Sequence, residues 1–270
     1  MKVMLVSRID NPDAVKFSRE IFQILTNDGM DVVLERDTAS VLGLDGLNMS
    51  GSGADIAIVV GGDGTILRTI HQMRDPIPVL GINWGEVGFL ADLEPEDAFA
   101  FIKTLSSGFP IEERMRITLI KDGVSCGDSL NEALIVTTRP AKMLRFSIIV
   151  DGMIAEQFRA DGLLISTPTG STAYAMSAGG PIVDPRLHAF LLVPLAPYLL
   201  SSRPHLISSN RELTIRLESD KPANLVIDGQ QTIELGTTTS LEVRKSEKPA
   251  LFVDIKRNFF EKVDKKLRKL

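Results

Sequence analysis

Ile56-Ala57-Ile58-Val59-Val60-Gly61-Gly62-Asp63-Gly64-Thr65 decides how this chain is read. Its first five residues are all apolar, the pattern of a strand buried on both faces as in a parallel sheet. The glycine-rich turn that follows leads into a helical pattern over residues 66–73. At such a junction, backbone N–H groups and the helix dipole receive a phosphate. Neither common nucleotide fingerprint fits: the chain has no Gly-Lys pair for a Walker A loop, and Leu67 stands where the dinucleotide motif needs its third glycine. The odd residue is Asp63. A carboxylate among groups that attract anions repels a phosphate unless it binds a cation or takes up a proton. That placement suits a general base beside bound phosphates, in phosphoryl transfer to an alcohol. The other reading is an ordinary turn in which the glycines supply positive φ and Asp63 caps the helix.

Working outward, the first hundred or so residues alternate short apolar runs with helical patterns, the signature of βα units. Residues 3–6 predict a first strand. Asn11 and Pro12 then open a helix with Ala14, Phe17, Ile21, Ile24 and Leu25 on one face and Gly29 as its stop. Residues 31–34 and 78–82 predict further extended segments, and residues 94–105 another helix ended near Gly108. After Pro110 the rhythm changes to runs of Ile, Val, Leu and Thr, punctuated by Asp-Gly pairs beginning at Asp122, Asp151, Asp161 and Asp228. Asp-Gly pairs favour turns between antiparallel strands, so a second, β-rich domain is expected. Residues 255–270 hold seven basic and two acidic residues, with Phe259, Phe260, Val263, Leu267 and Leu270 at helical spacing. This predicts an amphipathic helix that packs its apolar face on the protein and exposes its lysines.

At 270 residues the chain is long enough for one large domain or two modest ones, at roughly 150 residues each. A single cysteine, Cys126, closes no intrachain disulfide and forms no thiolate zinc site, and three scattered histidines make no local cluster. Net charge is −5, so no broad footprint for nucleic acid is expected. The longest apolar stretch, residues 188–200, is broken by Pro194 and Pro197 and is shorter than the ~20 residues of a membrane span. No signal segment is read at residues 1–6, and the expected compartment is the cytoplasm.

Four further segments carry groups suited to a ligand. Residues 167–180 run TPTGSTAYAMSAGG, eight of the fourteen being Ser, Thr or Gly. Their hydroxyls and open amides can outline a nucleoside, with Tyr174 as an aromatic face; a plain loop leading into a helix is the alternative. Arg159 and Asp161 stand at alternate positions, on one face of an extended strand, either as ligand contacts or as a surface ion pair. Asn131-Glu132 opens a predicted strand over residues 133–137, where an amide can read an adenine edge and a carboxylate can hold ribose hydroxyls. Residues 85–90, GEVGFL, form a glycine-bearing strand-to-helix loop.

Taken together and in order, GGDGT, GxxGFL, NE, RADG, TPTGSTAY with SAGGPI, and Asp228-Gly229-Gln230 resemble the NAD kinase family over residues 56–231. The resemblance implies an α/β N-terminal domain with a Rossmann-like parallel sheet (residues 1–108, completed by helix 255–270) and a β-sandwich-like NAD-binding domain (109–254). It implies ATP or polyphosphate as donor, the 2′-hydroxyl of the adenosine ribose of NAD as acceptor, and a divalent metal, Mg or Mn, carried with the donor phosphates. By position Asp63 is the implied proton acceptor with Gly64 beside it, and Asn131, Glu132 and Asp161 are implied contacts to the adenosine half. Thr172, Ala173, Tyr174, Ala175, Met176 and Ser177 form the implied adenosine-binding strip; Arg159, Ala196, Gln230 and Lys142 complete the set. Arg68, one turn into the helix after the loop, is placed to meet a phosphate. A homodimer or homotetramer is expected, by analogy and because the apolar segment 190–200 exceeds what one domain's core is expected to cover. No nucleic acid or membrane partner is expected. Two other functions compete: a lipid kinase of the diacylglycerol or sphingosine type, opposed by the polar strip at 167–180, and a non-catalytic dinucleotide sensor, opposed by Asp63.

Overall fold

The computed structural model describes residues 1–85, 88–139, 142–199 and 201–267. It divides into two compact units, Met1–Glu113 with Ala250–Leu270, and Arg114–Pro249. The first runs through β1 (Lys2–Ser7), α1 (Pro12–Asn27), β2 (Asp31–Glu35), α2 (Arg36–Leu42), β3 (Gly46–Leu47), β4 (Ile56–Gly61), α3 (Asp63–Gln72), β5 (Val79–Asn83), α4 (Pro95–Ile102) and β6 (Ile111–Arg114). Next come β7 (Ile117–Lys121), β8 (Val124–Ser129), β9 (Glu132–Thr137), β10 (Leu144–Val150), β11 (Met153–Ala160), β12 (Gly162–Ser166), a short α5 (Tyr174–Ser177) and β13 (Ala189–Leu195). The second unit ends with β14 (His205–Ser208), β15 (Leu213–Ile227) and β16 (Gln231–Lys245), after which β17 (Ala250–Val253) and α6 (Phe259–Leu267) belong to the first.

In the first unit a seven-stranded sheet runs β3-β2-β1-β4-β5-β17-β6, with parallel pairing from β3 through β17. Asn11 starts α1 by accepting the N–H groups of Asp13 and Ala14, with Pro12 at the first helical position. Residues 56–60 of β4 have no exposed surface, as the uniform apolar run requires. Chain order reverses between β1 and β4, and α3 begins just beyond the carboxyl end of β4. In open α/β sheets that reversal is where ligands bind.

The second unit is one ten-stranded antiparallel sheet, β14-β13-β12-β9-β15-β16-β7-β8, with β10 and β11 branching from β15. β15 pairs with β16 along one edge and with two strands along the other: Leu213–Leu217 with β10 and Ala223–Ile227 with β9, across an irregularity between Glu218 and Ala223. The sheet encloses a main core that includes Phe146, Ile148, Leu163, Phe190, Ile215, Leu225 and Leu241, and a smaller cluster gathers Leu164, Ala175, Val183, Leu191 and Val193. Among the described residues no helix is long and apolar enough to cross a membrane.

Several expectations change in the folded chain. Asp122-Gly123, Asp151-Gly152 and Asp228-Gly229 have positive φ at both residues and turn β7 into β8, β10 into β11 and β15 into β16. Asp161-Gly162 makes no hairpin. The chain passes there from β11 to β12, and a Cβ on Gly162 would lie 2.6 Å from the Ile135 carbonyl, so this glycine serves close strand approach. The helix expected over 94–105 ends at Ile102 and is followed by a 3-10 turn, Leu105–Ser107. Phe190, Leu191, Leu192 and Val193 are fully buried, so the first part of the apolar segment is covered by its own unit, while Tyr198 and Leu199 at its far end are exposed. Leu200 of that segment, and Arg268, Lys269 and Leu270 of the terminal helix, lie outside the described residues.

Candidate active site

The glycine loop is shaped by close approach. A Cβ on Gly61 would meet the Thr65 side chain at 2.6 Å, and one on Gly85 would stand 3.4 Å from Cα of Gly62. Gly62 is the N-cap of α3 and no side chain caps the helix, so the capping alternative for Asp63 fails. Instead the Asp63 carboxylate turns to the loop after β5. Its Oδ2 accepts the Phe89 N–H at 2.7 Å and its Oδ1 the Leu90 N–H at 2.9 Å. Gly88 makes room, since a Cβ there would lie 2.6 Å from Oδ1. Two of the carboxylate's roughly four acceptor sites are thereby used, which fixes its orientation and leaves capacity for a hydroxyl proton. Glu86 and Val87 of this loop lie outside the described residues.

Cationic groups surround this end of the sheet. The Arg8 guanidinium bonds Asp10 and holds its carboxyl below the usual range, with a smaller pull from Arg68, which places Arg68 within electrostatic reach of the carboxyl end of β1. Asn83, at the end of β5, donates to Glu94 through Nδ2 at 3.2 Å while its buried Oδ1 has no partner. From α6, the Lys262 amine bonds the Phe89 carbonyl and Asp92. Among the described residues no group of three or more His, Cys, Asp or Glu side chains is gathered as a metal-binding set.

In the second unit Asp228 organises the start of β9. Buried in the turn after β15, its carboxylate accepts the Ser129 hydroxyl and the N–H groups of Leu130, Asn131 and Glu132. The segment after β12 packs on the same peptides. Thr167 N–H and Ser166 Oγ donate to the Asn131 carbonyl, Thr167 Oγ1 to Leu130, and a Cβ on Gly170 would collide with Asn131 at 2.1 Å. Glu132 is pressed between these groups. Burial, then repulsion from Asp228, pushes its carboxyl up to about 7, opposed by the backbone N–H of Tyr174. One of its oxygens is buried without a hydrogen-bond partner among the described residues, and Tyr174 is exposed.

Known proteins match both halves of the chain. A family model for the ATP-NAD kinase N-terminal domain matches residues 3–108, and one for the ATP-NAD kinase C-terminal domain matches residues 130–255. The sequence is 65% identical over 270 residues to the NAD kinase of Methanoregula boonei and 60% identical to that of Methanoculleus marisnigri, each match covering both chains in full. The chain belongs to the NAD kinase family. Its fold matches the crystal structure of an NAD kinase from Archaeoglobus fulgidus in complex with ATP, with a TM-score of 0.82, 30% identity and full coverage of both chains. Yeast NADH kinase complexed with NADH superposes with a TM-score of 0.91 over the whole of this chain and 88% of its own; at 23% identity this is a likeness of fold.

Of the positions suggested by the NAD kinase resemblance, Asn131, Glu132 and Thr172 to Ser177 come together through Asp228, the Thr167 segment and the Tyr174 amide. Arg159, Asp161 and Ala196 share a second neighbourhood. Asp161 N–H donates to Leu195, Tyr198 N–H donates to Arg159, and Ala196 takes a positive φ of 44° between them. The Arg159–Asp161 ion pair does not form; the Arg159 guanidinium lies 4.6 Å from the centre of the Tyr198 ring. Gln230 is exposed in the β15–β16 turn, and Lys142 is exposed beside Pro140 and Ala141, which lie outside the described residues. Sequence reading missed Asp228 as a hub, Asn83, and Lys262 and Lys266 of α6. Only Asp228 carried a signal, its Asp-Gly pair, and that pair announces a turn and nothing about the carboxylate.

Proposed function

We propose that this NAD kinase family member transfers the terminal phosphoryl group of ATP to the 2′-hydroxyl of the adenosine ribose of NAD, giving NADP and ADP. The observation that carries the reading is Asp63, a carboxylate oriented by two backbone N–H groups inside a glycine loop where a helix begins. In the reaction the ribose oxygen bonds the terminal phosphorus, the bond to the ADP oxygen breaks, and the hydroxyl proton passes to Asp63. The peptides of Gly62 and Gly64, the start of α3 and Arg68 hold the donor phosphates. The divalent ion, Mg or Mn, is part of the substrate, bound to the phosphates. Magnesium keeps several waters and is carried by substrate phosphates, so the loop need offer no cluster of carboxylates. Polyphosphate is a second possible donor of the same chemistry.

Asn131, Glu132, Asp161 and the strip Thr172 to Ser177 receive the adenosine half, with Arg159, Lys142, Ala196 and Gln230 at its periphery. Its hydroxyls and amides suit a nucleoside and oppose a lipid acceptor, which calls for an apolar groove. Residues 1–108 with helix 255–270 carry the donor chemistry and residues 109–254, β-sandwich-like, bind NAD; the Lys262 bonds to Phe89 and Asp92 support the return of the helix. The protein works as a cytoplasmic homodimer or homotetramer, with neither nucleic acid nor membrane as partner. Incubation with ATP, magnesium and NAD tests the reading by mass: the product is NAD heavier by one phosphoryl group. No NADP, with a lipid phosphorylated instead, overturns it.

A further inference from the structure

Lys262 and Lys266 stand four residues apart on α6, hence on one face of the helix. Both reach Phe89, whose N–H orients Asp63. Lys262 is engaged: its amine bonds the Phe89 carbonyl and the Asp92 carboxylate. Lys266 is not. Its Nζ lies 5.6 Å from the centre of the Phe89 ring, and among the described residues this buried amine has no hydrogen-bond partner.

An ammonium withdrawn from water without a counter-charge is expensive to keep. Burial, then repulsion from Lys262, holds Lys266 below the ordinary lysine range, while Asp63, Glu94 and Asp92 pull the other way. Those three carboxylates are near enough to act on it, yet none bonds it. The ring face of Phe89 offers only partial compensation. Beside it opens a cavity of about 220 Å³ whose charged lining is Lys262, Lys265, Lys266 and Arg257 against Asp92, Glu94 and Glu261. An amine without a hydrogen-bond partner among the described residues, in electrostatic reach of Asp63 and bordering a cavity with one more cation than carboxylates in its lining, is matched by an anion with several oxygen acceptors.

We propose that Lys266 holds a phosphate oxygen of the phosphoryl donor beside Asp63, so that the C-terminal helix contributes a substrate-binding cation to the glycine loop. The inference rests on Asp63 marking where the donor phosphates lie. Lys262 is the positioning partner that keeps the Phe89 loop in place.

The test compares full-length wild type, Lys266→Met and Lys266→Arg for calorimetric binding of tripolyphosphate, for KM of Mg-ATP and for KM of NAD. The Met variant is expected to bind tripolyphosphate about tenfold or more weakly and to raise the ATP KM to a similar degree, with the NAD KM unchanged and the Arg variant recovering most of the loss. Unchanged tripolyphosphate binding, or a loss confined to NAD, overturns the proposal. If Lys266→Met fails to fold by circular dichroism, Lys266→Gln takes its place in the same measurements. Asp63→Asn, assayed alongside, separates the two levels: Lys266 variants that behave as wild type while Asp63→Asn is inactive refute only the role of Lys266. An Asp63→Asn protein with full turnover refutes the Asp63 reading instead.

Discussion

Asp228 Oδ1 accepts the backbone N–H of Asn131 at 2.8 Å across 97 positions of sequence, which ties the β15–β16 turn to the start of β9. The same carboxylate takes the Ser129 hydroxyl and the N–H groups of Leu130 and Glu132. A single side chain thereby satisfies four donors in a buried loop end that could not otherwise turn inward.

Asp228→Ala therefore strands several buried donors at once, at about 1–3 kcal/mol for each that water does not reach. Stability is expected to drop by about 3 kcal/mol or more in urea titration, and the KM for NAD to rise. Asp228→Asn keeps one oxygen acceptor and is expected to fall between. An alanine variant within about 1 kcal/mol of wild type would contradict the hub.

Glu132 gives stability a pH dependence. Its folded value of about 7 lies above the ordinary 4.5, so the native state keeps a proton that the unfolded chain releases between those values. The contribution is fully present below pH 4.5 and is lost as pH rises through about 7. Glu132→Gln removes this slope and is expected to be more stable than wild type above pH 7 by up to about 3 kcal/mol. Parallel urea titrations at acid and alkaline pH read it; a slope identical in the two proteins would locate the titration elsewhere.

Asp63→Asn is expected to lower kcat by about 10²–10⁴, the share of general-base catalysis. From sequence alone an amide of the same shape is expected to preserve the geometry. The fold says otherwise, because both oxygens accept backbone N–H groups, and an amide NH₂ must face one of them donor to donor. A stability loss of about 1–3 kcal/mol should accompany the loss of turnover. Near-wild-type kcat would remove Asp63 from the chemistry.

Gly88→Ala isolates orientation from basicity. The carboxylate remains, but a Cβ 2.6 Å from its Oδ1 must displace it. Turnover is expected to fall by about 10²-fold with the far-ultraviolet circular dichroism unchanged. Unaltered turnover would mean that the position set by Phe89 and Leu90 is not the catalytic one.

Much of this protein is legible locally, because the signals act over a few residues. Asn11 and Pro12 open a helix through their own side chain and ring, the apolar run of β4 demands burial on both faces, and three Asp-Gly pairs take the positive φ of tight hairpins. The glycine loop, its acid, and the order of motifs that leads to the NAD kinase family are likewise written in sequence. Asp161-Gly162 marks where local reading stops, since that glycine answers to the Ile135 carbonyl on a neighbouring strand. Which donors a carboxylate meets is not a local property. Asp63 finds Phe89 and Leu90 across 26 and 27 positions, Asp228 finds Asn131 across 97, and Lys262 finds Phe89 across 173. Those pairings exist only after sheet order and helix return have brought distant peptides together, because a hydrogen bond is decided by distance and angle at the end of folding and by no propensity along the chain.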